Sequence, residues 1–114
     1  MLTLDFIRDK AMAYPEVEEI PHFEKISFRV RKKIFVTVDL AKQKVVLKLP
    51  EVEQSVFCDY KPESIYPVAG AWGKQGWTVF KMKDTRKDVF ADALRVSYCS
   101  VAPKALASLI QRKA

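Results

Sequence analysis

The chain contains few of the residue types from which catalytic and metal sites are built. Its 114 residues include one histidine, His22, and two cysteines, Cys58 and Cys99. The two cysteines lie too far apart in sequence to form a CxxC pair, and they are too few for a disulfide-rich secreted domain. One histidine with two distant thiols also falls short of a zinc ligand set. The sequence therefore predicts two reduced thiols, no metal site and no cofactor.

The single histidine also limits nucleophilic catalysis. A Ser-His or Cys-His arrangement would have to use His22, and nothing in the sequence places a serine or a cysteine beside it. Its place just before a predicted strand favours a structural histidine. Nearby acids could form a general acid–base pair, although acids in a loop are more often solvated; they are Glu16, Glu18 and Glu19. We predict that the protein is not an enzyme.

Long apolar runs are missing as well. No run approaches the roughly 18 residues of a membrane-spanning helix, and charged residues interrupt positions 1–10, where a signal peptide would be apolar. We therefore expect a cytoplasmic protein without a membrane partner. Hydrophobic residues make up 49% of the chain and charged residues 30%, which is enough apolar material for one core. The sequence predicts a single domain over residues 1–114.

Glycine is scarce, and all three glycines fall within seven residues: Gly70, Gly73 and Gly76. We therefore expect unusual backbone angles or a close approach in this loop. The spacing superficially resembles a nucleotide-binding loop. However, Walker A requires a GKT or GKS sequence that opens a helix, and a dinucleotide fingerprint requires a strand–turn–helix unit. Here Gly76 is followed by a predicted strand, so the context excludes both motifs.

The hydrophobic pattern changes period along the chain. Residues 3–14 predict a helix capped by Thr3 and ended by Pro15. Between residues 22 and 49 the apolar residues alternate in three runs joined by short polar turns, which is typical of an antiparallel meander with one buried face. The three alternating sets are Ile26-Phe28-Val30, Ile34-Val36-Val38 and Val45-Leu47-Leu49.

The second half of the chain predicts further helices and strands. Residues 50–59 predict a helix with Val52, Val56 and Phe57 facing inward, and residues 64–68 and 77–82 predict two strands. A C-terminal helix is expected to begin with a capping box of Thr85 and Asp88, and Pro103 should kink or restart it. The predicted order is α-β-β-β-α-β-β-α, an α+β fold.

The charge is unevenly distributed. The net charge is +6, yet residues 16–24 hold four acids and no base, whereas residues 25–48 hold eight bases and one acid. The alternating pattern places several of these bases together on the open face of the meander: Lys25, Arg29, Arg31, Lys44 and Lys48. We expect such a surface to favour anionic partners.

Several short motifs resemble those of the MmcQ/YjbR-like proteins. The first hairpin is similar in Pro21-His22-Phe23, Phe28-Arg29-Val30 and Lys33-Ile34-Phe35; the loop and strand are similar in residues 73–79, and Ser97-Tyr98 matches a third landmark. The resemblance implies a two-layer fold like that of secretion chaperones, with a five-stranded antiparallel sheet packed on helices. It also implies a DNA-binding role. Gly73 and Gly76 stand where the family commonly has Asn and His on either side of Lys74 and Gln75.

Three functional hypotheses follow. In the first, the chain is a binding module that contacts DNA through the five open-face bases, with Trp72 and Lys74 as a loop contact. The alternative for these residues is that the bases solubilise the sheet and protect its edges, and that the tryptophans pack in the core. Trp77, on a strand, is the better candidate for the core, and Trp72 is the better candidate for exposure.

The second hypothesis is a protein-interaction or dimerisation module that binds an acidic protein or a second copy of the chain. A third and least favoured hypothesis is an enzyme or a small-ligand carrier with a pocket near Trp72 and Trp77.

Overall fold

The computed structural model describes residues 1–111 and contains a single antiparallel sheet with helices on one side. The helices are α1 (Leu4–Met12), α2 (Glu51–Tyr60), α3 (Ala71–Lys74), α4 (Lys87–Val101) and α5 (Lys104–Gln111). The strands are β1 (Val17–His22), β2 (Lys25–Val30), β3 (Lys33–Asp39), β4 (Lys44–Lys48), β5 (Ile65–Pro67) and β6 (Trp77–Lys81). The predicted α+β class is therefore confirmed.

The sheet has six strands in the order β1-β2-β3-β4-β6-β5, one more than the five expected. The additional strand is β1, which pairs with β2 along its whole length, from Val17 opposite Val30 to His22 opposite Lys25. This strand could not be predicted from the sequence because acids and proline are rare in strands, and β1 contains Glu18, Glu19 and Pro21. Proline is tolerated here because β1 is an edge strand of the sheet.

Two hairpins in the first half turn without glycine. Phe23 and Glu24 join β1 to β2, and Phe23 has φ = 60°; Arg31 and Lys32 join β2 to β3 with φ = 49° and 69°. Two-residue hairpin loops require positive φ at one or both central positions, which usually selects Gly or Asn. In this chain the positive φ angles occur at Phe23, Arg31 and Lys32, and all three glycines lie in the loop before β6.

The core lies between the sheet and the helices. Thr3 caps α1 as predicted, accepting a hydrogen bond from the Phe6 amide at 3.1 Å. Helix α4 packs on β3 and β4. The pairing of β2 with β3 contains a bulge that leaves Phe35 as an extra residue. Phe35 and the next residue, Val36, are both fully buried. The Phe35 ring meets the Tyr98 ring edge-to-face, with the ring centroids 5.7 Å apart.

Three details of the helices differ from expectation. Val52 and Val56 of α2 face solvent, and Phe57 alone of the three predicted residues packs against the core. Thr85 does not cap α4, because Arg86 is the cap residue and the Thr85 hydroxyl donates to the carbonyl of Lys81 at 2.7 Å. Residues 71–74, expected to be loop, form the single turn α3.

The restart at Pro103 is confirmed, since α4 ends at Val101 and α5 begins at Lys104. Of the helices described over residues 1–111, none has the length and apolar character needed to cross a bilayer.

Candidate functional site

The sheet face opposite the helices, here called the open face, is assembled from paired residues on neighbouring strands. Residues directly opposite one another in an antiparallel ladder project to the same face. Ser27 lies opposite Thr37, and their hydroxyls share a 2.9 Å hydrogen bond. Thr37 lies opposite Val46, which in turn lies opposite Val79. The centre of the open face is therefore small or apolar rather than charged.

Three of the five predicted open-face bases are lysines that lie there. Lys44 extends towards an aromatic ring, its Nζ 5.8 Å from the centroid of Tyr66, and Lys48 does the same 5.9 Å from the centroid of Trp77. Such contacts combine apolar burial of the stem with attraction of the ammonium to the ring face. Lys25 is exposed at the start of β2.

Arg29 lies on this face as well, opposite Ile34, but both arginines are bound to acids. The Arg29 Nε donates to Glu18 Oε1 at 3.1 Å across the β1–β2 pair. Arg31 lies in the turn after β2 rather than on a strand, and its guanidinium makes two bonds with Glu16, at 2.5 and 3.0 Å. These acids belong to the segment expected to be a solvated loop, and without β1 the sequence could not reveal that they neutralise the arginines.

The third acid, Glu19, points to the helical side of the sheet. It accepts two hydrogen bonds from Arg8 of α1, at 2.7 and 3.1 Å. The hydrogen bonds from Arg31 and Arg8 lower the pKa of Glu16 and of Glu19, respectively, below the ordinary value. The acids of this segment thus fasten β1 to its neighbours.

One end of the open face contains a shallow concavity of about 400 Å³, here called the apolar hollow. Its lining consists of His22, Lys25, Ile34, Thr37, Val46, Val68, Trp72 and Trp77. Trp72 is 61% exposed, as its loop position predicted. Trp77 is half-buried on the open face instead of lying in the core, which was the favoured expectation.

A second concavity of about 490 Å³, the lysine hollow, adjoins the first. Lys33, Lys48 and Lys74 line it together with Glu51. The two hollows share Ile34, and Lys48 reaches from the lysine hollow over the ring of Trp77. Lys33, Ile34 and Val46 were not among the predicted site residues, although their positions on alternating strands are visible in the sequence.

The loop that presents Trp72 and Lys74 is held by several hydrogen bonds. The Gln54 side chain of α2 donates to the carbonyl of Gly73 and to the Thr78 hydroxyl, both at 3.0 Å. The Leu49 amide donates to the carbonyl of Gly76 at 2.9 Å. The position of Trp72 is therefore fixed by the fold.

The glycines of this loop allow close packing of backbone on backbone. A Cβ at Gly73 would overlap the carbonyl oxygen of Val68, and one at Gly76 would overlap that of Leu49. Gly76 also has φ = 107°, in the region that favours glycine. A larger residue at either position would not fit this backbone.

Ser97 and Tyr98, the third landmark of the resemblance, have structural roles. The Ser97 hydroxyl donates to the carbonyl of Phe35 in the β3 bulge at 3.3 Å, and the Tyr98 hydroxyl donates to the carbonyl of Pro15 at 2.8 Å. The Tyr98 ring also stacks on Tyr14 with centroids 4.7 Å apart. This pair joins α4 to the sheet and to the segment between α1 and β1.

The groups that catalysis or metal binding would use lie apart. Cys58 and Cys99 are half-buried, and burial raises the pKa of each thiol. His22 lies at the rim of the apolar hollow with its ring against the edge of Phe23. Over residues 1–111, no group of three or more His, Cys, Asp or Glu side chains is placed to hold a metal ion.

These features define a two-layer α+β domain with an uncovered antiparallel sheet and a glycine–tryptophan loop at one end of it. The sequence model of the YjbR family matches residues 12–100, so the chain belongs to the YjbR family. The fold is similar to the crystal structure of Deinococcus radiodurans protein DR2400, a DUF419 domain. The TM-score is 0.80 with 20% identity, covering 97% of this chain and 89% of that one. No curated protein matches the chain.

Proposed function

We propose that the chain is a non-catalytic binding module of the cytoplasm. It binds nucleic acid through its open face, and the nucleic acid proposed is DNA. The observation that supports this most directly is the placement of lysines without ion-pair partners. Within residues 1–111, no acid lies within ion-pair distance of Lys25, Lys44, Lys48 or Lys74. Asp39 lies opposite Lys44 but accepts a hydrogen bond from the Lys42 amide. Lysines in this state can neutralise phosphates and release counterions.

The arginines have a smaller part in this proposal than in the sequence-based hypothesis. Arg29 and Arg31 are engaged by Glu18 and Glu16. A phosphate would have to compete with a carboxylate for each guanidinium. The open-face lysines and Lys74 of α3 are therefore the principal phosphate contacts, with the two arginines at the margin.

The first prediction concerns charge removal on the open face. The double variant Lys44→Gln/Lys48→Gln should weaken binding to a fluorescein-labelled DNA oligonucleotide, measured by anisotropy at about 50 mM salt. The slope of log affinity against log salt should fall by about 0.7–0.9 for each phosphate that the variant no longer neutralises. Lys10→Gln/Lys104→Gln removes the same charge from α1 and α5 on the helical side and is the matched control.

Comparing the two variants distinguishes binding through the open face from binding that depends only on the net charge of the protein. If both weaken binding equally, the affinity comes from overall charge and the open-face assignment is wrong. If the unmodified protein does not bind at about 50 mM salt, where counterion release is strongly favourable, nucleic-acid binding itself is wrong.

One observation favours the alternative of a protein-interaction or dimerisation module. Helix α2 has no buried residue and exposes apolar side chains four positions apart, which align on one helical face: Val52, Val56 and Tyr60. A second copy of the chain could cover this stripe. Light scattering at increasing concentration tests the alternative: a dimer that Val56→Glu converts to a monomer would support it, and a monomer throughout would exclude self-association.

A further inference from the structure

We propose that the nucleic acid bound by the open face is single-stranded, with unpaired bases stacked on Trp72 and Trp77 and phosphates beside Lys33, Lys48 and Lys74. This inference rests on the proposed function and specifies the class of ligand. It follows from the adjacency of an apolar hollow, in which both tryptophans of the chain lie, and a hollow lined by lysines.

The apolar hollow is unsuited to a duplex. A duplex presents phosphates and groove edges to a shallow protein surface, while its base faces are stacked inside the helix. The Trp72 and Trp77 rings could not reach those base faces. A single strand exposes its bases, and any base can stack on an aromatic side chain because every base has a π-face.

The lysine hollow supplies the matching electrostatic contact. A single strand alternates bases with phosphates, so a surface that binds it needs stacking and positive groups side by side. Lys48 belongs to both parts, because it lines the lysine hollow and its Nζ lies 5.9 Å from the Trp77 centroid. Lys74 follows Trp72 by two residues in α3 and lines the same hollow.

Phe23 extends the aromatic surface beyond the apolar hollow. It lies at the tip of the β1–β2 hairpin, is 94% exposed, and has φ = 60° at a position where hairpins prefer glycine. A bulky residue with positive φ is strained. Its ring meets the His22 ring at 5.2 Å, and His22 lines the hollow. We assign Phe23 as a further stacking side chain.

The openness of the site favours a polymer over a small molecule. Small-molecule sites generally enclose most of the ligand surface. Here Trp72 is more than half exposed and Phe23 almost completely so. A strand that crosses the face can gain contacts along its length without being enclosed.

The experiment uses three fluorescein-labelled probes: an oligothymidylate of about 12 nucleotides, within the range that single-strand-binding domains cover, an abasic oligonucleotide of equal length, and a duplex of equal length. The abasic probe keeps the phosphates and lacks the bases. Trp72→Ala should weaken oligothymidylate binding by about tenfold, a typical loss for one stacked base. It should leave binding to the abasic probe unchanged.

Tyr60→Ala is the matched control, because it removes an exposed aromatic side chain from α2, away from the open face. It should not alter binding to any probe. Quenching of intrinsic fluorescence by oligothymidylate is a second readout, since both tryptophans line the hollow. Circular dichroism melting of each variant establishes that the fold is retained.

The outcomes distinguish this inference from the function on which it rests. Tighter binding of the duplex, equal binding of the abasic probe, or a Trp72→Ala variant with unchanged affinity would overturn the single-strand inference while nucleic-acid binding stood. Absence of binding to every probe would overturn both. Preference for oligothymidylate that Trp72→Ala abolishes would support both.

Discussion

At the scale of single residues, the glycines determine the backbone of the loop before β6, and Tyr98 holds α4 against the segment between α1 and β1. All three glycines lie in the loop before β6, where the sequence predicted unusual angles or close approach, and both occur. Gly70 and Gly76 have positive φ, and Gly73 and Gly76 approach neighbouring carbonyls. The scarcity of glycine made this part of the structure predictable, although the backbone partners, Val68 and Leu49, could not be known from sequence.

The glycine contacts predict an order of stability among alanine variants. Gly76→Ala should lower the free energy of unfolding more than Gly70→Ala does. The Gly76→Ala variant combines strain at φ = 107° with overlap of the Leu49 carbonyl oxygen. Gly70→Ala adds strain at φ = 76° but meets no atom within 4 Å. Strain alone costs about 1–3 kcal/mol. Urea unfolding should therefore give a larger loss for Gly76→Ala; equal losses would show that the close approach to Leu49 is unimportant.

Tyr98 yields a second prediction at this scale. Tyr98→Phe keeps the ring contacts but leaves the carbonyl of Pro15 without the hydroxyl that donates to it at 2.8 Å. Loss of one such hydrogen bond should lower the free energy of unfolding by about 1 kcal/mol. Tyr60→Phe, at an exposed tyrosine of α2, should change it little. A neutral Tyr98→Phe variant would show that the ring alone holds α4 to the α1–β1 connection.

At the scale of elements, β1 marks the limit of prediction from sequence. The other strands were found because they are short, mostly apolar runs between polar turns, and the helices α1 and α4 because of apolar spacing. In β1 the alternation is broken because Glu19 lies on the helical side and Ile20 on the open face, and the acids suggested a loop. The strand forms because pairing with β2 and ion pairs to Arg8 and Arg29 outweigh a poor local propensity.

The acids around β1 make its attachment sensitive to acid. Arg31 and Arg8 lower the pKa of Glu16 and Glu19 below about 4.5 in the folded state. The unfolded chain binds protons at higher pH than the folded chain does, so the stabilisation is complete above that value and is lost as pH falls through the lowered folded pKa.

Urea midpoints measured from about pH 6 to about pH 2.5 should therefore fall, and Glu16→Gln/Glu19→Gln should reduce that fall. The two ion pairs are exposed, so the effect should also shrink in high salt. An identical pH dependence in the double variant would mean that these pairs do not stabilise the folded state.

At the scale of the whole molecule, acidic and basic residues are concentrated in different regions, which the net charge of +6 does not show. Sequence reasoning correctly predicted an exposed Trp72, but it did not show that acids engage Arg29 and Arg31. The missing strand supplies the acids that engage both arginines. Trp77 was assigned to the core because it lies on a strand beside Val79, and alternation alone could not tell which face of the sheet the helices would cover.

The same distribution divides the sheet into two regions. Around β1, Arg29 and Arg31 are paired with acids, and towards the α3 loop the lysines lie without acidic partners within residues 1–111 beside two tryptophans. A ligand with negative charge and flat apolar groups should therefore bind at the loop end. Binding at the β1 edge would require breaking ion pairs first.

The most direct test of this account is an amide and indole NMR titration of the ¹⁵N-labelled protein with oligothymidylate. We expect the two indole N–H resonances, from Trp72 and Trp77, to shift together with the amides of Lys48 and Lys74, while Val56 and Tyr60 of α2 and residues 16–19 remain unchanged. Shifts confined to α2, or no shifts at low salt, would contradict the account.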